Sequence, residues 1–241
     1  MLPYFLPSKR SAICSSEPVI ESRYTYAMLT DRQLFMPNSP SSSAPTLVYD
    51  IRASRYLNIT GRCTLRCQFC PKHNGSKQIH EYQLDLKSQP KAQDIIPLLG
   101  TVSDFDEYVF CGYGEPTLNL ATLIDVAKAI KAQGGKVRVN TDGLGNLFHR
   151  RNILPELSPW VDSISVSLNA DTEAAYLEHC RPKLADSYAA VREFIRLAPQ
   201  YINKVQVSAI DGLRDVNIEA CRQIVETSGC EFKHRQLGAL G

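Results

Sequence analysis

From Thr46 onward, short apolar runs rich in β-branched residues alternate with longer stretches whose apolar positions recur every three or four residues. The short runs are residues 56–59, 108–111, 137–139, 164–168, 205–210 and a weaker 231–233. Their length and composition predict six strands. Between them, Leu120, Leu123, Ile124, Ala127 and Ile130 share one helical face, with Thr117 or Asn119 available as a cap and Gly134-Gly135 as a stop. Ala190, Val191, Phe194, Ile195 and Ala198 predict a second helix ending at Pro199. Ile218, Cys221, Ile224 and Val225 predict a third, ending near Gly229. Residues 94–99 also read as helical, but Pro97 is expected to kink or shorten that crossover.

Strands that alternate with helices imply a parallel sheet with right-handed crossovers. Six such units fit the roughly 190 residues after the first 48, whereas a full eight-unit barrel needs about 250. The expected fold is therefore α/β: a partial, open (β/α)6 TIM-like barrel over residues 49–241. A flat doubly wound sheet is the competing arrangement.

Residues 1–48 have a different texture. Six of the 14 prolines fall there, with the tract Asn38-Ser39-Pro40-Ser41-Ser42-Ser43-Ala44-Pro45. A stretch with so little to bury is expected to be a flexible extension. The apolar start is short, broken by Pro3 and Pro7, and followed rather than preceded by Lys9 and Arg10, the wrong order for a secretory signal. No run of 18 apolar residues suggests a membrane span. The formal net charge of +2 gives no electrostatic case for bulk nucleic-acid or membrane binding. A reducing, cytoplasmic setting is expected, where clustered cysteines serve as metal ligands more often than as disulfides.

Three of the eight cysteines lie within eight residues, as Cys63-Thr64-Leu65-Arg66-Cys67-Gln68-Phe69-Cys70. The spacing C-x3-C-x2-C puts three thiolates on one loop, close enough to hold one compact cluster. A 4Fe-4S cluster normally takes four thiolates; three leave one iron free to bind something else. Further polar and glycine-rich segments follow the other strands: Gly112-Tyr113-Gly114-Glu115-Pro116-Thr117, Asn140-Thr141-Asp142-Gly143, Ser167-Leu168-Asn169 and Asp211-Gly212. Parallel α/β folds place ligands at these carboxyl ends.

C-x3-C-x2-C after a first strand, with G-x-G-E-P after a second, resembles the radical S-adenosylmethionine (SAM) superfamily over roughly residues 50–236. More narrowly, residues 70–75, 110–118 and 139–144 resemble the TatD-linked radical SAM proteins. That group is compact, and the long N-terminus departs from it. The resemblance implies that Cys63, Cys67 and Cys70 ligate three irons of a 4Fe-4S cluster. The methionine part of SAM then chelates the fourth, and reductive cleavage gives a 5′-deoxyadenosyl radical that takes hydrogen from a substrate. It implies that Glu115 holds the SAM ammonium and that Gly112 and Gly114 let the backbone approach the ligand. Pro116 stops the strand, and Phe69 packs on the adenine side. Ser167 and Asn169 meet the ribose, Arg181 pairs with the SAM carboxylate, and Asp142 faces substrate or cofactor. By the same analogy the electron donor is a flavodoxin or ferredoxin.

Other readings of the residues remain open. His73 lies three residues past Cys70 and could complete a Cys3His zinc site, making the chain a zinc-stabilised binding module without catalysis. Within enzymes, an activase that places a glycyl radical on a partner protein is the alternative. Cys180, Cys221 and Cys230 could form an auxiliary cluster only without any C-x2-C pairing.

Overall fold

In the computed structural model the described residues are 45–73, 78–79 and 81–238. They belong to one compact unit, Ser42–Gly241. The chain opens with a hairpin in which β1 (Val48–Ile51) pairs antiparallel with β2 (Ser54–Leu57). After the cysteine segment comes a small antiparallel ribbon, β3 (Gln78–Ile79) and β4 (Tyr82–Gln83). The remaining elements are α1 (Ala92–Ile95), β5 (Glu107–Phe110), α2 (Leu120–Ala132), β6 (Val137–Thr141), α3 (Gly145–His149), α4 (Leu154–Leu157), β7 (Ser163–Ser167), α5 (Glu173–Cys180), α6 (Ser187–Leu197), β8 (Lys204–Asp211), α7 (Ile218–Glu226) and β9 (Glu231–Gln236).

The main sheet has the order β1-β2-β5-β6-β7-β8-β9, and every pair after β1–β2 is parallel. A doubly wound sheet needs a point where the strand order reverses. Here six parallel strands run in sequential order without reversal, so right-handed crossovers put their helices on one face. That is the winding of a barrel. β1 and β9 are not hydrogen-bonded to each other, so the barrel is open. All six expected parallel strands are present; β1 and the β3–β4 ribbon are additions.

The two faces of the sheet have opposite chemistry. Toward the helices point Leu57, Phe110, Val139, Ile164, Val166, Val205 and Val207, all buried. They pack against Leu123, Val126 and Ile130 of α2, Val191, Phe194 and Ile195 of α6, and Cys221 and Val225 of α7 in one continuous core. Each large apolar side chain buried there contributes roughly 1.5–3 kcal/mol. Register puts Tyr56, Val109, Arg138 and Ser163 in one row on the other face, with Ser165, Gln206 and Glu231 in the next. The inner wall is therefore mostly polar, whereas a closed barrel fills its interior with apolar layers. At the amino ends of the strands a cavity of about 480 Å³ is lined by Arg138, Ser163, Lys204 and Lys233, among others.

Local signals explain the helix ends. Thr172 caps α5 by accepting from the Ala175 N–H, and Asn217 caps α7 by accepting from Glu219 and Ala220. Pro97 has the effect expected: α1 ends at Ile95 and continues as a tighter turn, Ile96–Leu98. The expected flexible extension, 1–48, lies outside the described residues as far as residue 44. Residues 46–48 are part of the fold: the Thr46 N–H donates to Gln83 O (2.8 Å), the Asn58 N–H to Leu47 O (2.8 Å), and β1 begins at Val48. Among the described residues no helix is long and apolar enough to cross a membrane.

Candidate functional site

The cysteine segment leaves β2 through the buried residues Asn58, Ile59 and Thr60, then runs on without regular structure. Partners elsewhere hold it. The Arg66 N–H donates to Cys180 O (3.0 Å) and the Gln68 N–H to His179 O (2.9 Å), while Lys183 donates its N–H to Thr64 O (2.9 Å) and its Nζ to Cys63 O (3.0 Å). Cys180 and His179 are the last residues of α5, whose terminal carbonyls have no partner within the helix. The loop takes its donors to these orphan acceptors, so each element satisfies the other. From the opposite side, the Glu115 N–H donates to Arg62 O (2.8 Å).

Cys63, Cys67 and Cys70 line a cavity of about 470 Å³ at the carboxyl ends of the strands, shared with Glu115, Asp142 and Asn169. Thr64 Oγ1 donates to Asp142 Oδ2 at 2.7 Å, and Cys63 Sγ lies 3.9 Å from the same oxygen. Burial pushes the Cys63 and Cys70 thiols up; for Cys67 the neighbouring Cys180 thiol acts first and burial second. Burial and then the Glu115 carboxylate hold the Asp142 carboxyl well above the usual range. Three thiols on one loop are a donor set for an iron–sulfur cluster with one open iron, which deprotonates the thiols it binds. The buried Asn169 Oδ1 also has no hydrogen-bond partner among the described residues, an acceptor suited to a ligand hydroxyl or amine. Both observations fit a 4Fe-4S cluster with SAM.

A single metal ion fits less well. Among the described residues no three His, Cys, Asp or Glu side chains gather around one ion position. His73 is exposed, and its ring pKa is lowered by burial and by Lys72, Arg66 and Lys183. The described cysteines are all free thiols. Cys221 and Cys230 belong to the helix-side core, away from the cysteine loop, and their thiols are pushed up by burial to about 12 and about 11.

Glu115 is a cross-link within the protein. Its Oε1 accepts from the Thr117 N–H (3.0 Å), Thr117 Oγ1 (2.7 Å) and Thr141 Oγ1 (2.7 Å), and its Oε2 from the Asp142 N–H (2.6 Å). The buried carboxylate ties the loop after β5 to the loop after β6. The two glycines are also packed closely against the protein itself. A Cβ on Gly114 would lie 2.1 Å from Thr60 O and 2.7 Å from Arg62 O; one on Gly112 would lie 2.1 Å from Asn58 Oδ1. What needs the missing side chain is the neighbouring protein chain, although both glycines also line the cavity. Pro116 is buried and starts the turn Pro116–Asn119 that leads into α2, and it is not a cavity-lining residue.

Phe69, Ser167 and Asn169 line the cavity. Arg181 does not. It is the left-handed C-cap of α5 (φ 46°), with its N–H donating to Leu177 O and its side chain exposed. The arginine that lines the cavity is Arg235, on β9. Sequence reading also passed over Asn140 as a site residue and Thr64, Tyr176 and Cys180 around the cysteine loop. The signal available for Asn140 and Arg235 was strand alternation, which places both on the inner face.

Residues 57–227, well over half of the chain, match the Radical SAM superfamily. A 91-residue stretch is 30% identical to the tungsten-containing aldehyde ferredoxin oxidoreductase cofactor-modifying protein of Pyrococcus furiosus, covering 36% of this chain and 23% of that relative. The fold is similar to TYW1 with a lysine-pyruvate adduct bound (TM-score 0.55, 12% identity, 78% of this chain and 66% of that one). It is also similar to Streptococcus suis SuiB bound to S-adenosylmethionine (TM-score 0.57, 14% identity, 77% and 40%). The chain thus spans less than two thirds of the length of each. A sequential parallel sheet, a three-cysteine loop at its carboxyl end and the superfamily match converge: the chain belongs to the radical SAM superfamily, and it is an enzyme whose cofactors are a 4Fe-4S cluster and SAM.

Proposed function

We propose that Cys63, Cys67 and Cys70 ligate three irons of the cluster and that the enzyme cleaves SAM reductively to take hydrogen from a substrate admitted to the open lumen. The observation that carries this reading is the placement of all three thiols, on one loop, against a single cavity at the strand ends. When bound, the cluster and SAM supply a 5′-deoxyadenosyl radical. The protein's part is to bind, orient and exclude water. Glu115 Oε2 accepts one hydrogen bond from the protein and retains capacity for the SAM ammonium. Asn169 offers its unpartnered Oδ1, and Ser167 its hydroxyl, to the ribose. Phe69 covers the adenine side. Arg181 is left out of the set, because its exposed side chain is not among those lining the cavity.

Superfamily members need a reductant; a flavodoxin or ferredoxin in the cytoplasm fits this role here. The motifs at 70–75, 110–118 and 139–144 favour the TatD-linked group within the superfamily. Anaerobic reconstitution tests the reading. Wild type is expected to bind about four irons with matching sulfide and to form 5′-deoxyadenosine from SAM under reduction, and Cys67→Ala to lose both. A colourless wild type that yields no 5′-deoxyadenosine after reconstitution rejects it.

A further inference from the structure

Two arginines point into the lumen, and they are in opposite states. Arg138 is satisfied: Nη2 donates to Glu107 Oε1 (2.7 Å), Nε to Glu107 Oε2 (3.0 Å) and Nη1 to Asn140 Oδ1 (2.7 Å). Arg235 is partly buried and, among the described residues, has neither an ion-pair nor a hydrogen-bond partner. It is also the only Lys or Arg lining the cysteine cavity among the described residues. Taking a guanidinium out of water without a partner is unfavourable, and burial lowers its pKa accordingly. The group nonetheless remains charged. A planar fork held in this way is suited to an incoming carboxylate or phosphate.

The position distinguishes that anion from the cofactor. Register places Arg235 beside Ile210 on the β8–β9 side of the lumen, and Cys111 at the end of β5 is the thiol it adjoins. The charged groups that act most strongly on the three clustered thiols are Asp142, Glu115 and Lys72. The cavity is thus acidic at the cysteine loop, where Glu115 and Asp142 lie, and cationic on the side of β9. Ser167, Asn140 and Gln236 also line it and offer hydrogen-bonding groups beside Arg235.

We propose that Arg235 is the receptor for an oxyanion of the substrate, a carboxylate or a phosphate, and so selects anionic molecules and fixes which end lies near the reactive carbon. This rests on the radical SAM reading of the same cavity. The test uses the reduced holoenzyme with S-adenosylhomocysteine in the nucleoside site, and reads paramagnetic broadening of inorganic phosphate, acetate and neutral acetamide at equal ionic strength. Phosphate or acetate, whichever matches the natural group, is expected to broaden saturably, and acetamide not. In Arg235→Gln the affinity for that anion is expected to fall about tenfold or more, with Arg235→Lys intermediate and the iron content of both variants unchanged. Anion broadening that is the same in Arg235→Gln, acetamide broadened equally, or no probe broadened in a loaded wild type overturns the proposal. So does loss of SAM affinity in Arg235→Gln with the cluster intact, which would assign the arginine to the cofactor. A wild type that holds no cluster and cleaves no SAM overturns the underlying reading, and the two failures are told apart by iron analysis.

Discussion

Gly114 and Thr60 approach so closely that a Cβ on the glycine would lie 2.1 Å from the threonine carbonyl oxygen. The contact is backbone against backbone, between the loop after β5 and the start of the cysteine segment, and the Glu115 N–H to Arg62 O hydrogen bond reinforces it. Neither strand of the contact can turn aside. Gly114→Ala is expected to destabilise the protein by about 3 kcal/mol and to lower iron content after reconstitution, because the loop carrying Cys63 must move. Gly112→Ala first meets a side chain, that of Asn58, rather than backbone, and is expected to be milder on both measures. Denaturant unfolding and iron analysis of the two variants check the ranking.

Glu115 accepts four hydrogen bonds from three residues on two loops. Removing the carboxylate leaves buried donors unpaired. Glu115→Ala is expected to cost about 2–4 kcal/mol of stability and also to weaken SAM binding. Glu115→Gln is expected to be less costly, since it keeps one oxygen for the Thr117 and Thr141 donors but sets an amide NH2 against the Asp142 N–H. Unfolding midpoints at unchanged slope, with SAM titrations on reconstituted protein, separate the structural loss from the ligand loss.

Asn169 sits at φ 63°, a left-handed conformation that asparagine and glycine adopt most readily. Asn169→Ala therefore confounds backbone strain with loss of the amide. Asn169→Gly removes the amide without the strain and is the informative variant. It is expected to fold with near wild-type stability and to bind SAM about tenfold more weakly. Normal SAM affinity in Asn169→Gly would remove this residue from the site.

The Arg138 guanidinium beside Glu107 holds that carboxyl below its usual value, with burial opposing. The native state therefore binds fewer protons than the unfolded chain near the carboxylate range. Stability from this pair is fully present above the unfolded pKa, about 4.3, and is lost as pH falls through the lower folded value. Glu107→Gln is expected to be less stable than wild type at neutral pH and to lose part of the acid-side fall in stability. Unfolding free energies measured from pH 7 down to the acid limb check both.

Most of the six parallel strands could be read from the chain because they carry apolar residues buried against helices, as in Val137, Val139, Ile164 and Val166; β9, with no β-branched residue and no buried position, gives the weakest signal. β1 escaped notice because Val48-Tyr49-Asp50-Ile51 is short, lies at an edge and follows a Pro/Ser tract. α5 is also short, and buries only Ala175, Tyr176, His179 and Cys180, too few for a clear periodic stripe. The three cysteines were visible because all of them lie in one segment. Their surroundings were not, since Thr64 meets Asp142 across 78 positions and Cys180 reaches the cysteine loop from over 100 positions away. The glycines of Gly112-Tyr113-Gly114-Glu115-Pro116 pointed to the cavity but not to the Asn58 and Thr60 atoms packed against them: sequence shows that a side chain is missing, not what occupies its space. Arg181 and Arg235 carry the same charge, and only the direction of the backbone at each position tells them apart.

Alternation along the strands gives neighbouring residues separate duties. Val139, Ile164, Val166 and Val207 face the helices and keep the chain folded, while Ser165, Ser167 and Gln206 face inward and take no part in that core. Selectivity can therefore be rewritten at such inward positions with small risk of unfolding, so that one scaffold can be fitted to new molecules by exchanging side chains on its concave wall.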